Sequence, residues 1–277
     1  MIPNLLSIAG SDPSGGAGIQ ADLKAFAARG AYGMAALTAL TAQNTQGVSG
    51  IHRVPPEFVA AQIAAIRDDI RIDGVKIGMI GEAAIAEAVA EAIAPLAGAP
   101  IVLDPVMVAK GGAALLPPEA VAALRAALLP RATMLTPNLP EAAALLGRPE
   151  AASRAEMADQ ALALRDLGPE AVFLKGGHLG GETSPDVLAT AAGLTWFDAP
   201  RVATRNTHGT GCSLSSALAA ELAFGHPPEV AAARAKDWLL GAIAAAGDLD
   251  VGHGHGPVQH FHALWPGLDK VEPRGIG

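Results

Sequence analysis

Short apolar runs that do not alternate with polar residues, each followed by a longer stretch of helical periodicity, constrain this chain more than any other feature. The runs are LLSIAG (5–10), MAALTALTAQ (34–43), VKIGM (75–79), IVLDPV (101–106), TMLTPN (133–138) and AVFLKGG (171–177). Amphipathic stretches such as PPEFVAAQIAAIRDDI and PEAVAALRAALL lie between them. A strand that is apolar on both sides must be covered on both faces, and parallel strands need a crossover that a helix fills. The expected fold is therefore α/β, with a mostly parallel central sheet and helices on both faces. DVLATAAGLTWFDAPRV (186–202) breaks the rhythm and reads as an antiparallel hairpin at a sheet edge. Two helices are expected after it, at about 210–224 and 228–246.

A chain of 277 residues with 51% hydrophobic residues can bury one large core, and neither a repeat nor a long linker divides it. A single domain over residues 1–277 is expected. The 19 Lys plus Arg against 27 Asp plus Glu leave a net charge of -8 with no basic run, so nucleic acid is not an expected partner. One cysteine cannot form an internal disulfide, which suits a reducing compartment. The amino terminus has no basic segment ahead of an apolar one, and no stretch approaches the ~18 apolar residues of a spanning helix. A soluble, cytoplasmic protein without a membrane partner is the expectation.

Ligands of open parallel sheets bind beyond the carboxyl ends of the strands, which makes the polar residues there informative. The first strand runs into GSDPSGGAG, the second ends at AQNTQG, and later ones end at Met79, at Asp104, at TPNLPE and at KGGH. Glycines before a helix leave N–H groups free for an anion, and HGTGC (208–212) fits that description, although tight packing would use the same residues. No G-x-x-x-x-G-K-[ST] is present, so the phosphate device is not a P-loop. GSDPSGGAGIQAD is favoured as a turn that lets substrate close against backbone.

Cys212 has two readings. Free cysteine often behaves as a small buried hydrophobe, whereas a thiol at a helix N-terminus is pulled toward neutrality and becomes available as base or nucleophile. Asp104 and Glu141 can each stabilise a local chain end, but their places at neighbouring strand ends favour Mg²⁺ shared with phosphates. Lys175, converging on the same edge, suits phosphate. His208 and the tail histidines His253, His255, His260 and His262 include His-x-His spacings, and structural hydrogen bonding and packing are favoured over metal for them.

Taken together, AGSDPSGGAGIQADLKAFAARGAYGMAALTALTAQNTQGV, KIGM, LDPVM, LTPNLPEAAAL, LKGGH, NTHGTGCSLSSALAA and VGHGHGPVQHFHALW resemble the hydroxymethylpyrimidine and phosphomethylpyrimidine kinase family of thiamine biosynthesis, within the ribokinase superfamily. The resemblance spans nearly the whole chain, in order. It implies a three-layer α/β fold, ATP with Mg²⁺, a homodimer, and two successive phosphorylations of 4-amino-5-hydroxymethyl-2-methylpyrimidine. It implies that the pyrimidine lies against Gly10, Asp22, Gln43, Met79 and Val106. Gly209, Thr210 and Gly211 would form the anion hole, with Cys212 beside the substrate hydroxyl. Asp104 and Glu141 would organise Mg²⁺, with Asn138, Thr210 and Lys175 at the nucleotide phosphates. The wider superfamily carries an aspartate as base where this sequence and its branch carry Cys212. A pyridoxal or pyridoxine kinase of the same superfamily is the nearest rival. A cysteine hydrolase using Cys212 with His208 lacks an evident orienting carboxylate, and a non-catalytic pyrimidine sensor leaves the phosphate set without a task.

Overall fold

The computed structural model describes residues 1–96, 98–107 and 116–265. In chain order the elements are β1 (Asn4–Ala9), α1 (Gly18–Ala28), β2 (Tyr32–Leu37), β3 (Ala39–Asn44), β4 (Gly47–Arg53), α2 (Pro56–Arg67), β5 (Gly74–Ile77), α3 (Ala83–Ile93), β6 (Ile101–Leu103) and α4 (Pro118–Ala123). They continue with β7 (Met134–Leu135), α5 (Leu139–Leu146), α6 (Arg154–Arg165), β8 (Ala171–Lys175), β9 (Thr183–Thr190), β10 (Gly193–Pro200), α7 (Thr210–Ala223) and α8 (Pro228–Ala244). An eight-stranded sheet runs in the order β10-β9-β8-β7-β6-β5-β1-β2, parallel from β2 to β8 and closed at one edge by the antiparallel β9–β10 hairpin.

The lack of polar alternation has a direct cause. Successive residues of one strand enter two different cores: Leu6, Ile8, Leu103 and Val172 join a cluster with α2 to α6, while Leu5, Val102 and Phe173 join one with α1, α7 and α8. The result is the three-layer, ribokinase-like α/β arrangement. Burying each large aliphatic or aromatic side chain on either face contributes about 1.5–3 kcal/mol, so both faces are needed to hold the sheet.

Two expectations about elements are corrected. The run 34–43 is not one strand, because the chain leaves the main sheet at Thr38. That residue is fully buried; its N–H donates to Ala9 O at 3.0 Å and its hydroxyl to Met79 O at 2.7 Å. Beyond it β3 pairs with β4, which the sequence reading did not assign, as a separate two-stranded antiparallel sheet with a bulge at Ala42/Gln43. A continuous apolar run carries no mark of a change of sheet. The stretch PEAVAALRAALL also departs from one regular helix: α4 widens into a π-helical segment at Leu124–Leu128, then tightens into a 3₁₀ turn at Leu129–Arg131 around Pro130. The hairpin and the two helices after it lie where expected, α8 ending in a 3₁₀ turn at Ala245–Asp248. Among the described residues, no helix is long and apolar enough to cross a membrane.

Candidate active site

Beyond the carboxyl ends of β1, β5, β6, β7 and β8 lies a cavity of about 950 Å³. Gly10, Gln43, Met79, Asp104, Val106, Asn138, Glu141, Lys175, Gly209, Thr210, Gly211 and Cys212 all line it. Asp22 does not, and its expected contact with substrate is corrected. Its carboxylate is buried beneath the cavity, accepting from Ser7 Oγ at 2.6 Å, Ser216 Oγ at 2.7 Å and Lys76 Nζ at 2.9 Å. Lys76, fully buried, reaches the cavity wall from β5. Burial alone would lower its pKa, but Asp22, with smaller help from Cys212 and Asp104, raises it and keeps the ammonium charged.

Charge is concentrated where β6, β7 and β8 end. Lys175 Nζ donates to Asp104 Oδ1 at 3.0 Å, and the Thr136 hydroxyl donates to the same oxygen at 3.3 Å. Asn138 caps α5 through a reciprocal pair: its side chain accepts from Glu141 N–H at 2.9 Å, and Glu141 Oε2 accepts from Asn138 N–H at 2.8 Å. Burial, reinforced by the nearby Asp104 and opposed by Lys175, pushes the Glu141 carboxyl up to about 7. Burial pulls the Lys175 pKa down, but Asp104 and Glu141 prevail and raise it. Two carboxylates that crowd each other in one cavity are hard oxygen donors that a cation would relieve. They fit Mg²⁺ held by one or two carboxylates and completed by phosphate oxygens and water. Among the described residues, no group of three or more His, Cys, Asp or Glu forms an all-protein metal cage.

The start of α7 faces this charge. Gly209 has φ 75°, and a side chain there would collide with the Gly16 carbonyl, so only glycine lets the α7 and α1 approaches meet. A Cβ on Gly211 would sit 3.5 Å from Lys175 Nζ and 3.6 Å from Asp104 Oδ2. The first-turn N–H groups of a helix have no partner within it, and here they lie beside a lysine at the cavity wall. Cys212 follows in that turn, its sulfur accepting from the Gly18 N–H. The expected pull of the thiol toward neutrality is corrected: burial outweighs Lys76 and the Gly18 N–H and pushes it up to about 11.

A third part of the wall is neutral or internally paired, and sequence reasoning missed most of it. His208 Nε2 lies 2.7 Å from Asp12 Oδ2. Asp12 also accepts from Ser14 N–H, Ser14 Oγ and Ala17 N–H, and although burial opposes it, these bonds and His208 hold its carboxyl down to about 2. His208 thus has a carboxylate partner that the sequence did not reveal. Gln43 lies beside this pair, with Nε2 3.5 Å from His208 Nε2. The other missed features are the apolar wall of Pro200, Val202, Leu239, Leu240 and Ile243, and Lys76. A lysine inside an otherwise apolar strand was the one available signal for the latter. Of the tail histidines, His260 Nε2 pairs with Ser213 Oγ at 2.8 Å, His262 Nδ1 lies 3.2 Å from Gln259 O and His255 Nδ1 3.2 Å from Arg205 O.

Residues 12–259 match the family model described as phosphomethylpyrimidine kinase. A hydroxymethylpyrimidine/phosphomethylpyrimidine kinase of Escherichia coli is 55% identical over 262 residues, covering 95% of this chain and 98% of the relative. The structure is similar to a pyridoxal kinase of Bacillus subtilis in complex with ADP (TM-score 0.86, 36% identity, 95% of this chain and 99% of that one). It is also similar to a phosphomethylpyrimidine kinase of Clostridium difficile (TM-score 0.77, 39% identity, 88% and 100% of the two chains).

Proposed function

This chain belongs to the phosphomethylpyrimidine kinase family, and from that premise we propose how its residues transfer phosphoryl groups. The enzyme is an ATP-dependent phosphotransferase. It phosphorylates 4-amino-5-hydroxymethyl-2-methylpyrimidine and then the monophosphate, in thiamine diphosphate biosynthesis. One observation supports the assignment of roles above the others: a glycine-rich helix N-terminus, Lys175 and two carboxylates line the same cavity as a neutral hydrogen-bonding wall.

In this reading Gly10, Gln43, Met79 and Val106 hold the ring, and Gln43 supplies both a donor and an acceptor. Asp22 acts at one remove, by holding Lys76 in the wall. The N–H groups of Gly209, Thr210 and Gly211 face the transferred phosphoryl, where the helix dipole favours negative charge. Lys175 offsets that charge while Asp104 anchors it, and Asn138 and Thr210 hold the nucleotide phosphates. Mg²⁺ bound to Asp104 and Glu141 would neutralise phosphate charge as it redistributes. The apolar wall of Pro200, Val202, Leu239, Leu240 and Ile243 suits a flat nucleobase.

Phosphoryl transfer asks mainly for positioning and electrostatics, so the base has a limited task. In the first step the acceptor is a hydroxyl, and Cys212 takes its proton in the fraction of molecules carrying a thiolate. In the second step the acceptor is a phosphate oxygen, largely ionised at neutral pH, and no base is required. The two steps therefore depend on Cys212 to different degrees.

ADP release measured side by side with the hydroxymethylpyrimidine, its monophosphate and pyridoxal tests the reading. Both pyrimidines should exceed pyridoxal in kcat/KM; turnover of pyridoxal alone would overturn it. The reading extends to a single cytoplasmic domain that forms a homodimer. Leu40 and Ile51 on the two-stranded sheet, and Phe58 on α2, are exposed apolar side chains suited to a partner copy. Sedimentation at micromolar concentration checks the dimer.

A further inference from the structure

We propose that Lys76 is a positioning residue for the first phosphorylation: its buried ammonium, pinned by Asp22, is the counter-ion for the negative charge that Cys212 carries as the base. The inference rests on the base role given to Cys212 above, and it stands on how α1, α7 and β5 meet.

Two rungs join α1 to α7. At the cavity, the Gly18 N–H donates to the Cys212 sulfur. One turn along, the Asp22 carboxylate accepts from Ser216 Oγ at 2.7 Å. Gly18 and Asp22 are four residues apart on α1, as are Cys212 and Ser216 on α7, so each pair shares one face of its helix. Lys76 enters from β5, donates to Asp22 Oδ2 at 2.9 Å and lines the cavity wall. The carboxylate of this ion pair thus sits one helical turn from the sulfur, and the ammonium reaches the wall that the sulfur shares.

An ion pair buried here asks for a task, because such a pair adds little stability over well-packed apolar residues. Asp22 and Lys76 are both fully buried. An ammonium has three N–H donors, and among the described residues Asp22 is the one hydrogen-bond acceptor for Lys76. A desolvated thiolate needs a cation, since an isolated buried charge is expensive. Lys76 from β5 and Lys175 from β8 favour the thiolate, whereas Asp22 from α1 and Asp104 beyond β6 oppose it; among these charges Lys76 acts most strongly on the sulfur. Lys175 is already paired with Asp104 at 3.0 Å.

In the first step the thiolate takes the hydroxyl proton, and the oxygen's electron pair forms the bond to the γ-phosphorus of ATP. The bond to ADP breaks, with its electron pair leaving on ADP. Cys212 ends as the neutral thiol and returns its proton to solvent before the next turnover. Lys76 stays protonated throughout and stabilises the sulfur only while the sulfur is charged.

Cys212 is the single cysteine of the chain and is partly exposed, so the pH dependence of alkylation by iodoacetamide reads its thiolate directly. In Lys76→Met, alkylation at a fixed pH below the thiol's titration should slow by about tenfold or more, the change in thiolate fraction that one pH unit carries. Asp22→Asn keeps an oxygen for Lys76 and removes the opposing charge, so alkylation should quicken. This second variant covers the case where Lys76→Met, with Asp22 orphaned, folds poorly. ADP release with the hydroxymethylpyrimidine should fall alongside alkylation in Lys76→Met, while release with the monophosphate stays within a few-fold. A profile that overlays wild type in a folded Lys76→Met or Asp22→Asn enzyme, or one that shifts the same way in both, overturns the counter-ion. Slowed alkylation with an unchanged first step supports the counter-ion and overturns the base role of Cys212 instead.

Discussion

The two halves of the cavity wall are built on different principles. At the ends of β6, β7 and β8, full charges meet across short distances, with Lys175 on Asp104 and Glu141 close by. Around Gln43, on the separate β3–β4 sheet, the cavity-lining group is a neutral amide, 3.2 Å from the Thr41 hydroxyl and 3.5 Å from His208 Nε2. Charges at the sheet edge act over several ångströms and tolerate small displacements, because Coulomb energy falls only as the inverse of distance. Hydrogen-bond discrimination fails within an ångström or with one flipped amide. In the roles proposed above, rate and selectivity fall to physically different parts: the parallel sheet carries the charge assigned to transfer, and the small appended sheet carries the amide assigned to the ring.

The strongest break should come from the charged half. Lys175→Met is expected to lower kcat by about 10²–10³, the range for losing one preorganised group that stabilises developing charge. Pyrimidine Kd by calorimetry should barely change. A thermal unfolding scan belongs beside it, since Asp104 is left buried without its partner. Equal losses in kcat and pyrimidine affinity would erase the proposed division of the wall.

Cys212→Ser tests the border between the halves. The first phosphorylation should slow by about 10²-fold or more, the usual worth of a general base, while the second stays within a few-fold. Because burial raises the thiol to about 11, the thiolate fraction climbs about tenfold per pH unit below that value. Wild-type kcat for the first step should accordingly rise from pH 7 to 9. Cys212→Asp, ionised throughout that range, should flatten the profile and recover activity relative to serine. Equal slowing of both steps would make Cys212 a packing residue at the helix start.

On the neutral side, Gln43→Leu should raise KM for the pyrimidine by about 5- to 100-fold, corresponding to the ~1–3 kcal/mol of leaving a buried polar edge unpaired. KM for ATP should stay near wild type. A shift shared by both substrates would show that the appended sheet does more than read the ring. The smallest effect is expected from Glu141→Gln, which keeps shape and removes one charge. Its Mg²⁺ titration should move to severalfold higher concentration with pyrimidine binding retained. A titration that overlays wild type would leave Glu141 as the partner of the Asn138 cap alone.

Much of this molecule was legible in its residues. Unalternating strands separated by helices implied a doubly covered parallel sheet, because two-sided burial leaves no room for polar alternation. Polar residues at the strand ends marked the charged half for the same topological reason: Asp104 follows β6, Lys175 ends β8, and Asn138 and Glu141 lie in the cap and first turn of the helix that follows β7. What the sequence could not carry was direction in space. Asp22 stands among cavity motifs yet points beneath them toward Lys76, since helix rotation and not sequence neighbourhood selects its face. The change of sheet at Thr38 left no trace in hydrophobicity. Asp12 and His208 are 196 positions apart, and only the approach of the α1 and α7 starts closes them to 2.7 Å. Of the two readings the sequence left open for Cys212, the pull toward neutrality is the one that packing opposes, because a dipole is a local property, whereas desolvation depends on everything packed around the sulfur. Composition and period thus determined the layers and the charged edge, and tertiary packing decided orientation, proton placement and the energy of each buried charge.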